Sequence, residues 1–235
     1  MSPHATTPRW HVHADEAAWT AAAADACVDA LRRDLATGPA RLLLSGGSTP
    51  APVYRALARY GLDWTRVTVA LVDERWVPPG DADSNATLVR ATLLDGRAHA
   101  ATLEPLLMPD RNLDEAVRHA NRSARAASVA VLGMGPDGHT ASLFPNAHGL
   151  ADALASKDDY VSVDAAGCPG AGAWPLRISL TPHGLAKAAT RLLLVRGAAK
   201  RELLEQALAG GDVESLPVRA LFALPGAPLD IHWCP

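Results

Sequence analysis

The chain has 235 residues, of which 49 % are hydrophobic, 20 % charged and 5 % aromatic, and its formal net charge is −3. This balance is typical of a soluble globular protein and gives no electrostatic case for binding nucleic acid or an anionic membrane. No apolar run approaches the ~20 residues needed to span a bilayer. The three cysteines are widely spaced and odd in number, which argues against a disulfide framework and favours a reducing compartment, the cytoplasm.

Short apolar runs alternate along the chain with longer helical patterns. Helices are predicted over residues 15–36, 52–60, 84–94, 113–127 and 199–208. Strands are predicted over residues 41–44, 67–72, 129–132, 192–195 and 231–233. Most of these strands are unbroken apolar runs, which is typical of a parallel sheet covered on both faces. We therefore expect one α/β domain over residues 1–235, doubly wound, with a mostly parallel sheet and helices on both faces.

Three loops that follow strand ends carry residues suited to chemistry. They come directly after Leu44, Val72 and Leu132, each of which is the last apolar residue of its predicted strand. Ligands of open α/β sheets bind beyond the carboxyl ends of the strands, so the three loops are expected to form a single site. Residues 165–175, with three glycines and two prolines, are expected to be a surface connection.

The loop at residues 133–145 combines glycines with an acid–base pair. Three glycines within its first six residues allow positive φ angles and the close approach of a ligand. Asp137 and His139 follow, and histidine is well suited to proton transfer near neutral pH. Residues 140–143 are expected to open a helix, whose first N–H groups attract anions. Asp137 then either orients the imidazole of His139 or caps that helix.

The other two loops offer hydrogen-bond donors and charges. In the Ser-Gly-Gly-Ser-Thr-Pro turn at residues 45–50, backbone N–H groups and hydroxyls can donate to phosphate oxygens. The turn lacks the lysine of a Walker loop and the third glycine of a dinucleotide fingerprint, which favours a phosphorylated small molecule over a nucleotide. In the third loop, Asp73 and Glu74 precede Arg75, and they either belong to the site or merely neutralise that arginine.

Together these segments resemble the 6-phosphogluconolactonases, which share a superfamily with the glucosamine-6-phosphate isomerase/deaminases. The resemblance extends from about Trp10 to Trp233 and is carried by residues 45–50, 73–75, 83–85, 133–145, 177–181 and 197–200. It implies hydrolysis of 6-phospho-D-glucono-1,5-lactone to 6-phospho-D-gluconate in the oxidative pentose phosphate pathway, a carboxylic ester hydrolysis that needs no cofactor. The deaminases carry a catalytic glutamate five residues after the motif histidine. Phe144 occupies that position here, which favours the lactonase branch.

The resemblance also implies roles for individual residues. His139 is expected to be the general base, assisted by Asp137, and the developing oxyanion is met either by Arg75 or by backbone N–H groups at residues 135–138. Asp73 is a further candidate, whereas Ser84 and Asn85 are expected to cap a helix. The residues expected to bind the substrate phosphate are Gly46, Gly47, Ser48, Thr49, Arg75, Arg177 and Lys200.

The expected partner is a small sugar-phosphate lactone, and the chain is expected to be a monomer or a weak homo-oligomer. His11 and His13 form a His-x-His pair, but no second group of ligands accompanies them in the sequence, so no metal site is expected. A different class of function stays open: a sugar-phosphate-binding regulator with a degenerate site. The intact Asp137, His139 and Arg75 argue against that alternative.

Overall fold

A computed structural model of the protein describes residues 7–235. The first six residues of the expected domain lie outside this range, and its limits stay a prediction. Ten strands occur in the described residues: β1 (Arg9–Val12), β2 (Ala40–Leu44), β3 (Val67–Leu71), β4 (Asp73–Arg75), β5 (Thr102–Glu104), β6 (Val129–Gly133), β7 (Tyr160–Asp164), β8 (Leu176–Leu180), β9 (Arg191–Arg196) and β10 (Leu229–Cys234).

Seven α-helices connect the strands of this region. They are α1 (Glu16–Leu35), α2 (Ala51–Leu57), α3 (Asn85–Thr92), α4 (Leu113–Ser123), α5 (Leu150–Ala155), α6 (Pro182–Leu185) and α7 (Ala198–Leu208). Side-chain caps begin α1 and α4: the carboxylate of Asp15 accepts from the N–H of Ala18 at 2.8 Å, and Asn112 forms a capping box with Glu115. Such caps satisfy N–H groups that have no partner inside the helix.

Seven strands form a central sheet in the order β1-β10-β9-β6-β2-β3-β5, and every pairing in it is parallel. The connection β2–α2–β3 advances toward one edge of this sheet, and the connection β9–α7–β10 advances toward the other. Because such crossovers are right-handed, their helices lie on opposite faces. The predicted doubly wound α/β fold is therefore confirmed.

A second, antiparallel sheet was not expected from the sequence. It has the order β4-β8-β7, and in its register Arg75 of β4 lies opposite Arg177 of β8. The charged triplet that forms β4 has no apolar pattern to reveal it as a strand, since its pairing with β8 comes entirely from the tertiary fold. This small sheet brings two of the predicted site cations together.

The prediction of a helix at residues 140–143 was wrong. Ala141 has a left-handed φ of 51°, and the N–H of Leu143 bonds to the carbonyl of Thr140 at 3.0 Å, so the chain makes a tight turn. The neighbouring Ser142 is tied in two directions, because its N–H donates to Ser179 Oγ at 3.0 Å and its hydroxyl donates to Asp73 at 2.6 Å. These contacts hold the chain out of helical geometry directly after His139.

The central strands form the core, as their unbroken apolar runs predict. All five residues of β2 are buried, as are Val129 to Leu132 of β6 and Leu192 to Val195 of β9. At ~25 cal/mol per Å² of apolar surface, this burial supplies the main stabilisation of the fold. No helix within residues 7–235 is long and apolar enough to cross a membrane.

Candidate active site

A cavity of about 230 Å³ lies at the carboxyl ends of the central strands. All three predicted loops line it, and so do all of the predicted site residues except Asp137: Gly46, Gly47, Ser48, Thr49, Asp73, Arg75, His139, Arg177 and Lys200. Asp137 is hydrogen-bonded to His139 and does not itself line the cavity. The three loops therefore meet at one cavity along one edge of the sheet, and its role as a functional site stays a prediction.

Asp137 and His139 form a close pair. Oδ1 of Asp137 lies 2.5 Å from Nδ1 of His139 and accepts a second, longer bond of 3.2 Å from the backbone N–H of the same residue. An ionised carboxylate only accepts, so Nδ1 carries the proton and Nε2 of a neutral ring is the basic nitrogen. No helix follows, so the helix-capping role for Asp137 is contradicted. Burial alone would raise the pKa of Asp137, but the hydrogen bond and charge of His139 outweigh it and hold the pKa below its ordinary value.

Two glycines and one aromatic ring enclose this pair. A Cβ atom added at Gly135 would lie 2.2 Å from Cε1 and Nδ1 of His139, and one added at Gly170 would lie 2.3 Å from Oδ2 of Asp137. The ring of Phe144, which is 1 % exposed, lies with its centroid 4.4 Å from that of His139. Gly135 belongs to the motif in the sequence, whereas no sequence signal pointed to Gly170.

Asp73 enters the cavity as a buried carboxylate that is 7 % exposed. It accepts the hydroxyl of Ser142 at 2.6 Å, and its backbone carbonyl accepts from Nδ2 of Asn85 at 2.8 Å. Asn85 is the first residue of α3 and also lines the cavity, which the sequence analysis missed because it assigned this residue to capping alone. The Oδ1 atom of Asn85 and the Oγ atom of Ser45 are buried without a hydrogen-bond partner, so both are available to a ligand.

The carboxylate of Glu74 binds the start of α3 and forms no ion pair with the guanidinium of Arg75. This buried carboxylate accepts four hydrogen bonds, from the N–H groups of Arg75, Asn85 and Ala86 and from the hydroxyl of Ser84. Burial raises the pKa of Glu74, and these hydrogen bonds oppose the shift. Arg75 forms no ion pair within residues 7–235, and its guanidinium donates to the backbone carbonyl of Asp83. The interpretation that the carboxylates merely neutralise Arg75 is therefore contradicted.

Three cations reach the cavity without a paired carboxylate among the described residues. Nζ of Lys200 donates to the carbonyl of Met134 at 2.7 Å, and burial lowers the pKa of this lysine while Asp137 opposes the shift. Arg177 donates only to backbone carbonyls of the 165–175 loop, and burial lowers its pKa as well. Because partly desolvated cations without counter-charges attract anions, the cavity suits a phosphorylated or carboxylated ligand.

Among the described residues, no histidine other than His139 lines this cavity. His11 of β1 bonds to Asp230 through Nε2 at 2.8 Å, and Nε2 of His13 lies 3.2 Å from Nδ1 of His232. Across the described part of the chain, no group of three or more His, Cys, Asp or Glu residues is placed to hold a metal ion.

Comparisons with known proteins show which family the chain resembles. A sequence family described as "Glucosamine-6-phosphate isomerases/6-phosphogluconolactonase" matches residues 14–231. The chain is 52 % identical over 200 residues to a 6-phosphogluconolactonase of Xylella fastidiosa, covering 84 % of this chain and 83 % of that protein. A crystal structure of a 6-phosphogluconolactonase from Shewanella baltica superimposes with a TM-score of 0.90 at 31 % identity, over 99 % of this chain and 100 % of the other.

The fold alone is shared more widely. A monomeric glucosamine-6-phosphate deaminase superimposes with a TM-score of 0.77 over 96 % of this chain and 97 % of the other, at only 19 % identity. The two chemistries must therefore be separated by the residues of the cavity.

Proposed function

Because the chain belongs to the family of glucosamine-6-phosphate isomerases and 6-phosphogluconolactonases, and to its 6-phosphogluconolactonase branch, we propose that it hydrolyses 6-phospho-D-glucono-1,5-lactone to 6-phospho-D-gluconate. We assign this reaction to the oxidative pentose phosphate pathway in the cytoplasm. The main support is the Asp137–His139 pair, which offers a basic nitrogen beside a cavity with three cations free of carboxylate partners.

In the proposed mechanism His139 first accepts a proton as a general base and later returns it as a general acid. Nε2 takes a proton from water while the water oxygen bonds to C1 of the lactone, and the carbonyl electrons move onto the exocyclic oxygen. When the tetrahedral intermediate collapses, the bond between C1 and the ring oxygen breaks, and the imidazolium returns its proton to that oxygen. The carboxylate of Asp137 stabilises the imidazolium that exists between the two steps.

We assign the oxyanion to Arg75. The sequence left a choice between this guanidinium and backbone N–H groups at residues 135–138. The N–H of Gly135 donates to the carbonyl of His139 at 2.9 Å, and the N–H of Gly138 donates to the carbonyl of Gly135 at 3.1 Å. Both groups are therefore used within the turn. Arg75 lines the same cavity without an ion-pair partner among the described residues, and one such donor is typically worth about 3 kcal/mol in the transition state.

We assign the substrate phosphate to the turn that follows β2, together with Lys200. Gly47 has a φ of 94°, a backbone conformation that favours glycine, and residues 46–49 line the cavity. Backbone N–H groups of such a turn can donate to phosphate oxygens. Ser48 and Thr49 supply hydroxyls, and the unpartnered Oγ of Ser45 lies beside them. Lys200 is bonded to Met134 at the end of β6, the strand next to β2. The cation is thus well placed to meet an anion held by the turn.

The deciding experiment follows acid release from lactone that a glucose-6-phosphate dehydrogenase generates in situ, against the spontaneous background. Hydrolysis by the purified chain, absent in His139→Ala and retained in His148→Ala, would support the proposal, because His148 is an exposed histidine outside the cavity. Binding of 6-phosphogluconate without turnover would instead identify a sugar-phosphate-binding regulator.

A further inference from the structure

The loop at residues 165–175 does more than connect β7 to β8. A Cβ atom at Gly170 would lie 2.3 Å from Oδ2 of Asp137 and 3.0 Å from Nδ1 of His139. Gly170 is not among the residues with positive φ, so its backbone conformation does not require glycine. The missing side chain matters because it lets the loop backbone rest directly against the His–Asp pair.

Arg177 holds this loop in place from β8. Its Nε donates to the carbonyl of Trp174 and its Nη2 donates to the carbonyl of Ala171, each at 2.6 Å. Ala171 directly follows Gly170, so one of these bonds fixes the peptide next to the contact with Asp137. Arg177 is only 5 % exposed, and its planar fork suits two acceptors at once, which a single ammonium group cannot match.

A second route joins Arg177 to the same pair. Its Cζ lies 5.5 Å from the centroid of the Phe144 ring, and the same ring also contacts His139, at 4.4 Å between centroids. The loop also packs through Ala165 and Ala171 into the small hydrophobic cluster that contains Phe144. Loop, aromatic ring and guanidinium thus form one packed unit around Asp137 and His139.

We propose that Arg177 is a positioning residue: by binding the carbonyls of Ala171 and Trp174 it holds Gly170 against Asp137 and keeps His139 Nδ1 hydrogen-bonded to that carboxylate. The proposal rests on the hydrolysis proposed above. Releasing the loop admits water to Asp137 and frees the imidazole to rotate, and a displacement near 1 Å can cost about 10²-fold in rate. This role differs from the phosphate contact that the sequence analysis assigned to Arg177.

Two substitutions separate these roles. For a positioning residue, Arg177→Lys lowers kcat by about 10-fold or more while the Kd of 6-phosphogluconate stays within about 2-fold of the wild-type value. Gly170→Ala produces the same loss of kcat with Arg177 intact, and it tests the proposal even if the arginine variant fails to fold. Gly38→Ala is the matched control, because a Cβ there meets nothing within 4 Å. A Kd raised more than 10-fold with kcat unchanged, or full activity in Gly170→Ala, would overturn the positioning role.

A spectroscopic readout does not depend on turnover. In ¹⁵N-histidine-labelled protein, a protonated Nδ1 that disappears in His139→Ala identifies the bond to Asp137. We expect Arg177→Lys and Gly170→Ala to shift this signal toward a mixture of tautomers and Gly38→Ala to leave it unchanged. An unaltered signal in both site variants contradicts the proposal. If the signal changes as expected in a protein that does not hydrolyse the lactone, the proposed function fails while the positioning role stands.

Discussion

Two histidine–aspartate pairs within residues 7–235 are joined by a side-chain hydrogen bond, and their surroundings differ. His139 lies 2.5 Å from Asp137 beyond the carboxyl end of β6, whereas His11 lies 2.8 Å from Asp230 near the amino end of β10. Burial would raise the pKa of either aspartate, yet hydrogen bonds hold both pKa values below the ordinary range. Both pairs are thus short, and in both the pKa of the aspartate is shifted in the same direction.

What separates them is the rest of each environment. Arg9 donates two hydrogen bonds to Asp230, at 2.9 and 2.7 Å, and the ring of His11 is stacked on His232 with 4.6 Å between centroids. Asp137 has no arginine partner among the described residues, and the nitrogen of His139 opposite its bond to Asp137 is left for a ligand. A His–Asp pair therefore becomes a candidate catalytic pair only where its surroundings leave the imidazole free to exchange a proton.

The sharpest test of this comparison removes one histidine from each pair. We expect His139→Ala to lower kcat by ~10²-fold or more, the usual effect of losing a general base. We expect His11→Ala to change kcat by less than about 2-fold, since its pair does not reach the cavity. Lactone hydrolysis and circular dichroism should be measured for both variants. Near-normal turnover by folded His139→Ala would contradict the assignment.

Substitutions of the cations around the cavity should change different quantities, kcat for one and the Kd of 6-phosphogluconate for the other. Arg75→Ala should lower kcat by about 10²-fold, because it removes the proposed oxyanion donor. Lys200→Ala should mainly raise the Kd of 6-phosphogluconate, by about 10-fold, because it removes one charge-assisted contact to phosphate. The exposed Arg59→Ala and Lys157→Ala are matched controls. The opposite assignment, a binding defect in Arg75→Ala and a rate defect in Lys200→Ala, would exchange the two roles.

Much of this arrangement could be predicted from the sequence. The apolar runs that end at Leu44 and Leu132 gave the parallel strands, and parallel strands place the loops that follow them along one edge. The pairing of Arg75 with Arg177 could not be predicted, because antiparallel register between two short strands is set by tertiary contacts. The role of Gly170 could not be predicted for a similar reason: this residue comes 33 positions after Asp137 in the sequence, and their contact depends on how its loop folds back.

The error at residues 140–143 has an equally physical origin. The Thr-Ala-Ser-Leu segment that follows Gly138 and His139 resembles a helix start by local propensity, which is a weak preference. The contacts of Ser142 with Asp73 and Ser179 override it, and neither partner is near in the sequence. A helix would have given Asp137 a capping role, and the turn that replaces it directs Asp137 to His139 instead.

The aromatic neighbour of the proposed catalytic pair offers a further test. Phe144 stands where the deaminase branch carries a glutamate, and its buried ring cannot transfer a proton. We expect no ammonia release from glucosamine 6-phosphate, and none from Phe144→Glu. The new carboxylate would be poorly placed for proton transfer, and it would lower stability because a charge at this buried position loses its hydration. Deaminase activity in the wild-type protein that His139→Ala removes would contradict the lactonase-only assignment.

His232, which stacks on His11 beside Asp230, should affect stability rather than rate. Burial, with the charges of His11 and His13, lowers the pKa of His232 to about 4, although Asp230 opposes the shift. Between the ordinary pKa of 6.5 and about 4, the unfolded chain binds a proton that the native chain does not, so the free energy of unfolding falls as the pH falls. From about pH 7 to about pH 4.5, the contribution of His232 is on the order of 2 kcal/mol. The depressed pKa values of Asp137 and Asp230 act mainly below this range.

Urea unfolding of wild-type and His232→Gln protein at the two pH values measures the difference. We expect the variant to lose less stability on acidification by about that amount. An equal loss in both proteins would show that His232 is not buried in its neutral form.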